Sequence, residues 1–296
     1  MIVSIASGKG GTGKTTIAVS LALSLADSAD VGTPLLVDCD VEAPNASLFL
    51  RPVFEEHRNV VQPIPVVDSK ACDLCKKCAE VCAYNAIAVV GKQVLVFPEM
   101  CHGCGSCALN CHTGAIREKQ DVKGMLERGR AGRIDFAHGV LNVGVAMPVP
   151  AIRQLKQWVV PTAPVNDRPI ILDAPPGTSC PVVETIRDTD FVLLVTEPTP
   201  FGLHDLRMAI EVARDELGLP VGVIINRDGI GDRGVDAYCA TERVPVLMRI
   251  PHDRRIAEAY SEGTPLIEAI PEYRDPFRDL YGAVDSLTKE MEVSKK

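Results

Sequence analysis

The stretch GKGGTGKT, residues 8–15, decides the fold of this chain. It fits the pattern G-x-x-x-x-G-K-[ST], in which glycines let backbone N–H groups turn inward around phosphates. The apolar run 2–6 precedes it and predicts a short strand, and residues 15–26 follow it and predict a buried helix. A strand before the loop and a helix after it are the context that this phosphate-binding motif requires. The helix N-terminus adds the positive end of its dipole.

The side chains of this loop predict distinct roles. Lys14 is expected to reach the β- and γ-phosphates of a nucleotide, and the Thr15 hydroxyl is expected to ligate Mg²⁺. The predicted nucleotide-binding residues here are Gly8, Lys9, Gly10, Gly11, Thr12, Gly13, Lys14, Thr15 and Thr16.

Aliphatic runs outside the loop predict the rest of a sheet. After the strand at residues 35–37, further strands are predicted at 169–173, 191–195, 221–225 and 246–250. These runs do not alternate with polar residues, as is typical of parallel strands covered on both faces. Helices are predicted between and after them at 203–217, 233–240, 253–262 and 275–291. The pattern predicts an α/β fold with a doubly wound, mostly parallel sheet.

Carboxylates follow two of the predicted strands. Asp38 and Asp40 lie in VDCDVEAPN, where one can help to hold Mg²⁺ and its waters and the other can orient an attacking water. Asp173 ends the strand PIILD, and an aspartate after an apolar strand is the Walker-B arrangement that holds Mg²⁺. The alternatives are a helix-capping pair for the first two residues and an ordinary loop aspartate for the third.

Eight of the eleven cysteines lie between residues 72 and 111, in an internal repeat. CDLCKKCAEVCAYNAI at 72–87 aligns without gaps with CHGCGSCALNCHTGAI at 101–116, and all four cysteines coincide. Both halves have the spacing C-x₂-C-x₂-C-x₃-C of bacterial ferredoxins with two [4Fe-4S] clusters, in which the fourth cysteine ligates the other cluster. The first set is therefore Cys72, Cys75, Cys78 and Cys111. The second set is Cys101, Cys104, Cys107 and Cys82.

Zinc and disulfides are the alternatives for these cysteines. Zinc sites usually pair two C-x-x-C units across a longer gap, and disulfides are rare in cytoplasmic proteins. Ala83 and His112 follow the fourth cysteines, where bacterial ferredoxins usually have proline, so the packing and potentials of the clusters stay open. We expect surface or hydrogen-bonding roles for His102 and His112.

The break in aliphatic periodicity predicts the domain organisation. Residues 1–67 and 119–296 are assigned to the P-loop domain, and 68–118 to a small inserted α+β domain of bacterial ferredoxin type. Residues 119–146 are rich in glycine and charge, which predicts hairpins or a connector.

Composition narrows the function classes. The 296 residues carry a net charge of −8 and 4% aromatic residues, and no cluster of Lys and Arg stands out, so nucleic-acid binding is not expected. There is no signal-peptide pattern, no run long enough to span a membrane and no C-terminal helix with bulky apolar anchors. We therefore expect a cytoplasmic protein that does not bind membranes.

Lys9 is not required by the general phosphate-loop motif, and it makes a family resemblance specific. Residues 9–15, KGGTGKT, resemble the deviant loop of the MinD/ParA/Mrp family of ATPases. The resemblance implies ATP hydrolysis, slow and stimulated by a partner, in a dimer that sandwiches ATP. It also implies that Lys9 contacts the partner's nucleotide; a solvated loop lysine is the alternative.

The same resemblance assigns roles to other residues. It gives Asp40 the water-activating role, beside Lys9 and Lys14 as catalytic residues, and it gives Asp38 an outer-sphere role at Mg²⁺. Asn226, after the strand VGVII, would read the adenine edge, and Pro251 would pack beside the base. Ordinary turn chemistry is the alternative for both of these residues.

Three functions are consistent with these motifs. The first is a dimeric ATPase that couples its nucleotide state to electron transfer through two [4Fe-4S] clusters. The second is an iron–sulfur cluster carrier or assembly ATPase of Mrp type, although Cys239 stands alone where that branch has a C-x-x-C pair. The third is a MinD/ParA-like positioning ATPase in cell division. The expected partners are a second copy or a similar ATPase, and an unidentified redox or iron–sulfur protein.

Overall fold

The computed structural model describes residues 1–28, 31–160 and 168–294. The strands in these ranges are β1 (Ile2–Ala6), β2 (Leu35–Asp38), β3 (Val53–Val67), β4 (Ile87–Val90), β5 (Gln93–Val96), β6 (Ile116–Ala131), β7 (Ile134–Leu141), β8 (Ile170–Asp173), β9 (Phe191–Thr196), β10 (Val221–Asp228) and β11 (Val246–Pro251).

Helices connect most of the strands. They are α1 (Lys14–Ala26), α2 (Ala46–Leu50), α3 (Lys77–Glu80), α4 (Ser106–Leu109), α5 (Val149–Val159), α6 (Cys180–Ile186), α7 (Pro200–Ile210), α8 (Gly234–Glu242), α9 (Arg254–Ser261), α10 (Leu266–Ala269) and α11 (Arg274–Ser294). A π-helical turn, Glu211–Glu216, extends α7, and a 3₁₀ turn, Pro271–Tyr273, precedes α11.

Nine strands form one large sheet in the order β11-β10-β9-β1-β8-β2-β7-β6-β3. Every registered pair from β11 to β7 is parallel. The short turn Gly132-Arg133 joins β6 to β7 as a hairpin. The prediction of a large, mostly parallel α/β sheet is confirmed.

The core of this sheet explains its aliphatic strands. The strands β1, β8 and β9 are buried along almost their whole length, because helices cover both faces. On one face, α1 buries Ile17, Leu21 and Leu25 in a cluster that also contains Phe277 and Leu280 of α11. Burial of each such side chain stabilises the folded state by roughly 1.5–3 kcal/mol. This packing fixes α1, and with it the loop that precedes α1.

Strand register brings the predicted site residues to one edge of the sheet. Asp38 of β2 is level with Asp173 of β8, and Ile5 of β1 is level with Asp173 on the other side. Since the carboxyl ends of parallel strands meet at this edge, the loop after β1 and both carboxylates lie together.

The chain divides into two compact units. The larger comprises residues 1–57, 126–140 and 152–296, and the smaller comprises 58–125 and 141–151. The residues predicted for the inserted domain, 68–118, all belong to the smaller unit, which continues beyond them in sequence. That unit contains α3, α4 and the antiparallel pair β4–β5.

Candidate functional site

The loop after β1 is held in shape by its own polar groups. Gly13, the residue before α1, has a φ of 96°, in the left-handed region that favours glycine. The Nζ of Lys14 donates to Ser7 Oγ at 2.9 Å and to the carbonyl oxygen of Lys9 at 3.4 Å. Burial lowers the pKa of Lys14, and the carboxylates of Asp173 and Asp40 oppose that effect. The lysine is thus enclosed at the loop, opposite two acidic groups.

Asp38 holds the segment that follows β2. Its carboxylate accepts backbone hydrogen bonds from Asp40 at 3.1 Å and from Asn45 and Ala46 at 3.0 Å each. Burial raises the pKa of Asp38 to about 7, although these backbone donors lower it. Asp38 therefore fixes the backbone path of residues 40–46. The sequence predicted only an outer-sphere role for Asp38 at Mg²⁺, so this structural role was not predicted.

Asp40 lies at the cleft itself. It is half-buried and accepts a hydrogen bond from the Ala43 amide at 3.3 Å. Burial raises its pKa, opposed by the Ala43 amide and by the charge of Lys14. Backbone amides of Ala43 and Glu42 are the hydrogen-bond donors that lower the pKa of Asp40, and its carboxylate, beside the cation Lys14, can accept a further hydrogen bond from water.

Asp173 is the most isolated carboxylate of the site. It is 1% exposed, and within residues 1–28, 31–160 and 168–294 neither of its oxygens accepts a well-formed hydrogen bond, although the Thr15 hydroxyl lies close enough to stabilise its charge. Burial and the nearby Asp38 raise its pKa well above the ordinary range, while the Thr15 hydroxyl and Lys14 oppose the shift. A buried anion with so little hydrogen bonding is costly. Asp38, Asp173 and Thr15 together form a set of oxygen donors that suits Mg²⁺, a cation that prefers oxygen ligands.

A cleft of about 350 Å³ opens beside the loop, within the usual size range of small-molecule sites. The predicted residues that line it are Gly10, Gly11, Gly13, Lys14, Thr15, Thr16, Asp40, Asn226 and Pro251. The other predicted residues of this site, Gly8, Lys9, Thr12, Asp38 and Asp173, are not part of its lining.

The far wall of the cleft was not predicted. It includes Asn45, Arg227, His252 and Tyr260, with apolar residues of α9. The sequence of α9 has an ordinary amphipathic pattern. That pattern does not distinguish a helix that lines a cleft from one that packs only on the core. The strand-end position of His252, after β11, is the signal that could have identified it.

Asn226 is engaged in the chain's own contacts. Its amide Nδ2 donates to the Thr12 carbonyl oxygen at 2.7 Å, and its Oδ1 accepts from the Arg227 amide at 2.9 Å. A Cβ on Gly13 would lie 2.5 Å from this Nδ2, so the close approach and the left-handed φ both favour glycine there. Asn226 therefore ties β10 to the phosphate loop.

Lys9 points to a carboxylate at the end of β9. Its Nζ lies 3.1 Å from Glu197, and Arg227 forms an ion pair with the same carboxylate. The side chain of Lys9 is 32% exposed and that of Glu197 is 9% exposed. This acceptor of Lys9 was not predicted.

The eleven cysteines are all free thiols. Cys82 of the first repeat lines one cavity together with Cys101, Cys104 and Cys107 of the second. Cys78 belongs to an apolar cluster that Cys82, Cys107 and Cys111 all border. The structure thus brings together the four side chains of the second set, across the two repeats.

Some sulfurs in this unit receive hydrogen bonds. Backbone amides of Ala86 and Gly103 donate to the sulfurs of Cys82 and Cys101 at 3.3 and 3.5 Å. Burial raises the pKa of Cys78 and Cys107, whereas the Thr113 hydroxyl lowers that of Cys111. Asp73, Cys75 and His112 form an exposed group whose ligand atoms lie within 4.8 Å of one another.

No helix of the described ranges combines the length and the hydrophobicity needed to cross a bilayer.

Comparison with known proteins identifies related sequences and folds. Residues 3–266 match the family described as the CobQ/CobB/MinD/ParA nucleotide binding domain. An uncharacterized protein of Methanocaldococcus jannaschii is 31% identical over 291 residues, covering 93% of each chain. The iron-sulfur cluster carrier protein of the same organism is 31% identical over 114 residues, covering 33% of this chain and 39% of the carrier.

A solved structure shares the fold. The septum site-determining protein MinD of Pyrococcus horikoshii OT3, complexed with Mg-ADP, has a TM-score of 0.58 at 22% identity. The match covers 97% of this chain and 96% of that one.

Proposed function

Because the chain belongs to the CobQ/CobB/MinD/ParA nucleotide-binding family, we propose that it is a dimeric ATPase that carries two [4Fe-4S] clusters. The observation that carries the ATPase proposal is the buried Asp173 carboxylate, which accepts no well-formed hydrogen bond from the part of the chain that the structure describes and lies beside Lys14 and Thr15. Such a group is explained by a cation that arrives with the nucleotide. Mg²⁺, when bound, would neutralise charge on the β- and γ-phosphates.

The chain's own residues account for phosphate binding. The glycines and the start of α1 turn backbone N–H groups toward the phosphates. Lys14, whose Nζ is held by Ser7 and the Lys9 carbonyl, exchanges these neutral acceptors for phosphate oxygens. This exchange replaces weak hydrogen bonds by charge-assisted ones, and it favours binding.

Asp40 is proposed to orient the water that attacks the γ-phosphorus. The bond from phosphorus to that water oxygen forms as the bond to the ADP oxygen breaks, which gives ADP and phosphate. Positioning and charge stabilisation supply most of such catalysis. By family resemblance, Lys9 of one subunit contacts the nucleotide of the other in a dimer.

The cysteine unit is proposed to hold the clusters in the two sets named from the sequence. The fit is supported by the free state of the thiols and by the cavity that Cys82 shares with Cys101, Cys104 and Cys107. The shared cavity matches the exchange of the fourth cysteine between repeats that is typical of two-cluster ferredoxins. When bound, the clusters would supply one-electron redox chemistry or transferable iron and sulfide.

These two uses of the clusters differ in their support. Cluster carriage is supported by the named carrier from Methanocaldococcus jannaschii, whereas electron transfer rests on cysteine spacing alone. We therefore place ATP-dependent cluster carriage first and nucleotide-coupled electron transfer second. A positioning role like that of MinD is supported by the fold alone.

One experiment separates these functions. Anaerobically purified protein is mixed with an apo-ferredoxin acceptor, and cluster transfer and phosphate release are followed with and without MgATP. Carriage predicts transfer that MgATP changes, at the same ATP turnover for reduced and oxidised clusters. Electron transfer predicts little donation and a turnover that depends on cluster redox state. A protein without phosphate release under any of these conditions would contradict the ATPase proposal.

A further inference from the structure

Three arginine side chains meet at the edge of the large sheet opposite the phosphate loop. Arg130 lies near the end of β6, Arg133 lies in the turn between β6 and β7, and Arg168 lies two residues before β8. Together with Thr33 and Asp135 they line an open cavity of about 540 Å³. The whole lining belongs to the larger of the two compact units. The fold assembles this cluster, because residues 130–133 are far from residue 168 in the sequence.

Regular backbone pairing supports the cavity. The Leu35 amide donates to the Pro169 carbonyl oxygen at 2.9 Å, and the Asp135 amide donates to the Pro34 carbonyl oxygen at 3.0 Å. Leu35 is also level with Asp135 of β7 on one side and with Ile170 of β8 on the other. The amino ends of three neighbouring strands are thus tied together here, and such elements position side chains more precisely than loops do.

One carboxylate orients two of the arginines. Asp135 accepts a hydrogen bond from Arg168 Nη2 at 2.9 Å and lies 3.2 Å from Arg130 Nε. The side chain of Arg168 is 14% exposed, whereas that of Arg130 is 69% exposed. A guanidinium group has several N–H donors, and one carboxylate occupies few of them. Both arginines therefore keep donors for a further acceptor.

Positive charge is in excess in this cavity. Three guanidinium groups and one carboxylate line it, a formal charge of +2, in a chain whose net charge is −8. Among the residues that the structure describes, Arg133 has no side-chain partner, and the buried Nε of Arg168 has no hydrogen-bond partner. A buried cation with an unsatisfied donor is costly, and a bound anion would offset that cost.

We propose that this cavity binds a phosphate dianion, free or as the phosphate group of a small ester, through Arg130, Arg133 and Arg168. Planar guanidinium groups match the geometry of phosphate oxygens and form paired, charge-assisted hydrogen bonds with them. The charge of the cavity balances that of a dianion. Its volume is in the usual range of small-molecule sites, which leaves room for the organic part of an ester.

This site is separate from the phosphate loop. Strand β8 begins at the cavity with Ile170 and ends at the nucleotide site with Asp173. A strand rises by about 3.3 Å per residue, so roughly 10 Å of sheet separate the two edges. Both sites can therefore be occupied at once, and the inference does not depend on ATP hydrolysis or on the clusters.

The test is isothermal titration calorimetry on the full chain in saturating MgADP. The probes are inorganic phosphate, ribose 5-phosphate, neutral ribose and the dicarboxylate succinate. The variants are Arg133→Ala and Arg168→Lys. Arg233→Ala is the matched control, because Arg233 is 77% exposed, lies directly before α8 and pairs with Asp236. The phosphate loop is unchanged in all of these proteins, so any binding there is common to them.

We expect the wild type to bind inorganic phosphate or ribose 5-phosphate with a Kd of about 1 mM or tighter, and the tighter probe identifies the source of the phosphate. Arg133→Ala and Arg168→Lys should each weaken that binding about tenfold, as for the loss of a hydrogen bond to a charged group. Lysine keeps the charge of Arg168 but lacks its planar fork. Arg233→Ala should bind as the wild type does, and ribose and succinate should bind at least about tenfold more weakly.

Three results would overturn the inference. The first is unchanged binding of both phosphate probes by Arg133→Ala and Arg168→Lys. The second is succinate binding as tight as that of ribose 5-phosphate, which would indicate a site for anions in general. The third is binding of a short DNA duplex without binding of either small probe. Should Arg168→Lys fail to fold in a thermal-unfolding control, Arg133→Ala decides alone, because within the described chain it has no side-chain partner to lose.

Discussion

The Nζ of Lys9 lies 3.1 Å from the carboxylate of Glu197, within the same chain. Glu197 is almost buried at the end of β9 and also pairs with Arg227, whose backbone adopts a left-handed φ of 54° at the wall of the cleft. If Lys9 reaches a nucleotide in a partner subunit, this internal pair must open first. The free energy needed to open this partly exposed ion pair therefore opposes dimer formation.

The first prediction follows from that contact. Glu197→Gln removes the charge that holds Lys9, so ATP-driven dimerisation should become about five- to thirtyfold tighter, because each of the two subunits no longer has to open a partly exposed pair worth roughly 0.5–1 kcal/mol. Sedimentation velocity over a concentration series with MgATP measures it. Lys9→Ala, in the same assay, should abolish ATP-driven dimerisation. A Lys9→Ala protein that dimerises as the wild type does would show that the lysine has no role across the interface.

The second prediction contrasts Asp40 with Lys14. Asp40→Ala should still bind ATP, because the loop backbone and Lys14 contact the phosphates, while turnover falls by about 10²-fold for the loss of a water-orienting group. Lys14→Ala should instead lose nucleotide affinity. Fluorescent-nucleotide binding and steady-state phosphate release are measured on both. Normal turnover by Asp40→Ala would mean that another group orients the attacking water.

The third prediction concerns pH and the buried carboxylates. A carboxyl group whose pKa is raised by folding stabilises the folded state at low pH, and that contribution is lost as pH rises through the folded pKa. For Asp38 the pKa rises from 3.8 to about 7, and that of Asp173 is also raised. Without nucleotide or Mg²⁺, stability should therefore fall between about pH 4 and pH 8.

Asp173→Asn tests this linkage, since it removes one of the two charges. The variant should be more stable than the wild type at pH 8 because it does not bury a carboxyl group whose ionisation the fold opposes, and the gain should shrink toward pH 4. We expect about 1–3 kcal/mol at pH 8, the usual cost of a buried polar group without a full hydrogen-bond partner. Urea unfolding at both pH values, in chelator, measures it. An equal difference at both pH values would mean that the charge of Asp173 is not responsible.

The fourth prediction tests how the cysteines are shared. Because Cys82 lines one cavity with Cys101, Cys104 and Cys107, Cys82→Ser should perturb the same cluster signal as Cys104→Ser. Cys78→Ser should perturb the other signal. Electron paramagnetic resonance of the reduced variants compares them. If Cys82→Ser instead resembles Cys78→Ser, each repeat holds its own cluster and the exchange between repeats is absent.

Parts of this fold could be predicted because the chain marks them locally. The strands β8, β9 and β10 are aliphatic runs covered on both faces, and each begins at or next to its predicted start. The long strand β3 was not identified as a strand, because its polar residues give no continuous aliphatic run. Most of β6 lies in the stretch predicted as hairpins or a connector, and it forms a hairpin with β7. The predicted helix 203–217 is α7 followed by a π-helical turn, a change of hydrogen bonding that composition does not signal.

The residues of the candidate site could be predicted where they belong to a short sequence motif. Contacts that form only when distant parts of the chain fold together could not be predicted. The phosphate loop and Asp173 follow from short local patterns, and register places them at one edge of the sheet. The pairing of Lys9 with Glu197 joins residues far apart in the chain, which no local pattern reveals. The contact of His112 with Asp73 is similar, because it crosses from one cysteine repeat to the other.

The measurement that tests the central claim most directly is the metal and sulfide content of the ATP-binding protein, purified without oxygen. Two [4Fe-4S] clusters predict about eight iron and about eight acid-labile sulfide per chain, in protein that also binds MgATP. Stoichiometric zinc without labile sulfide would contradict the account.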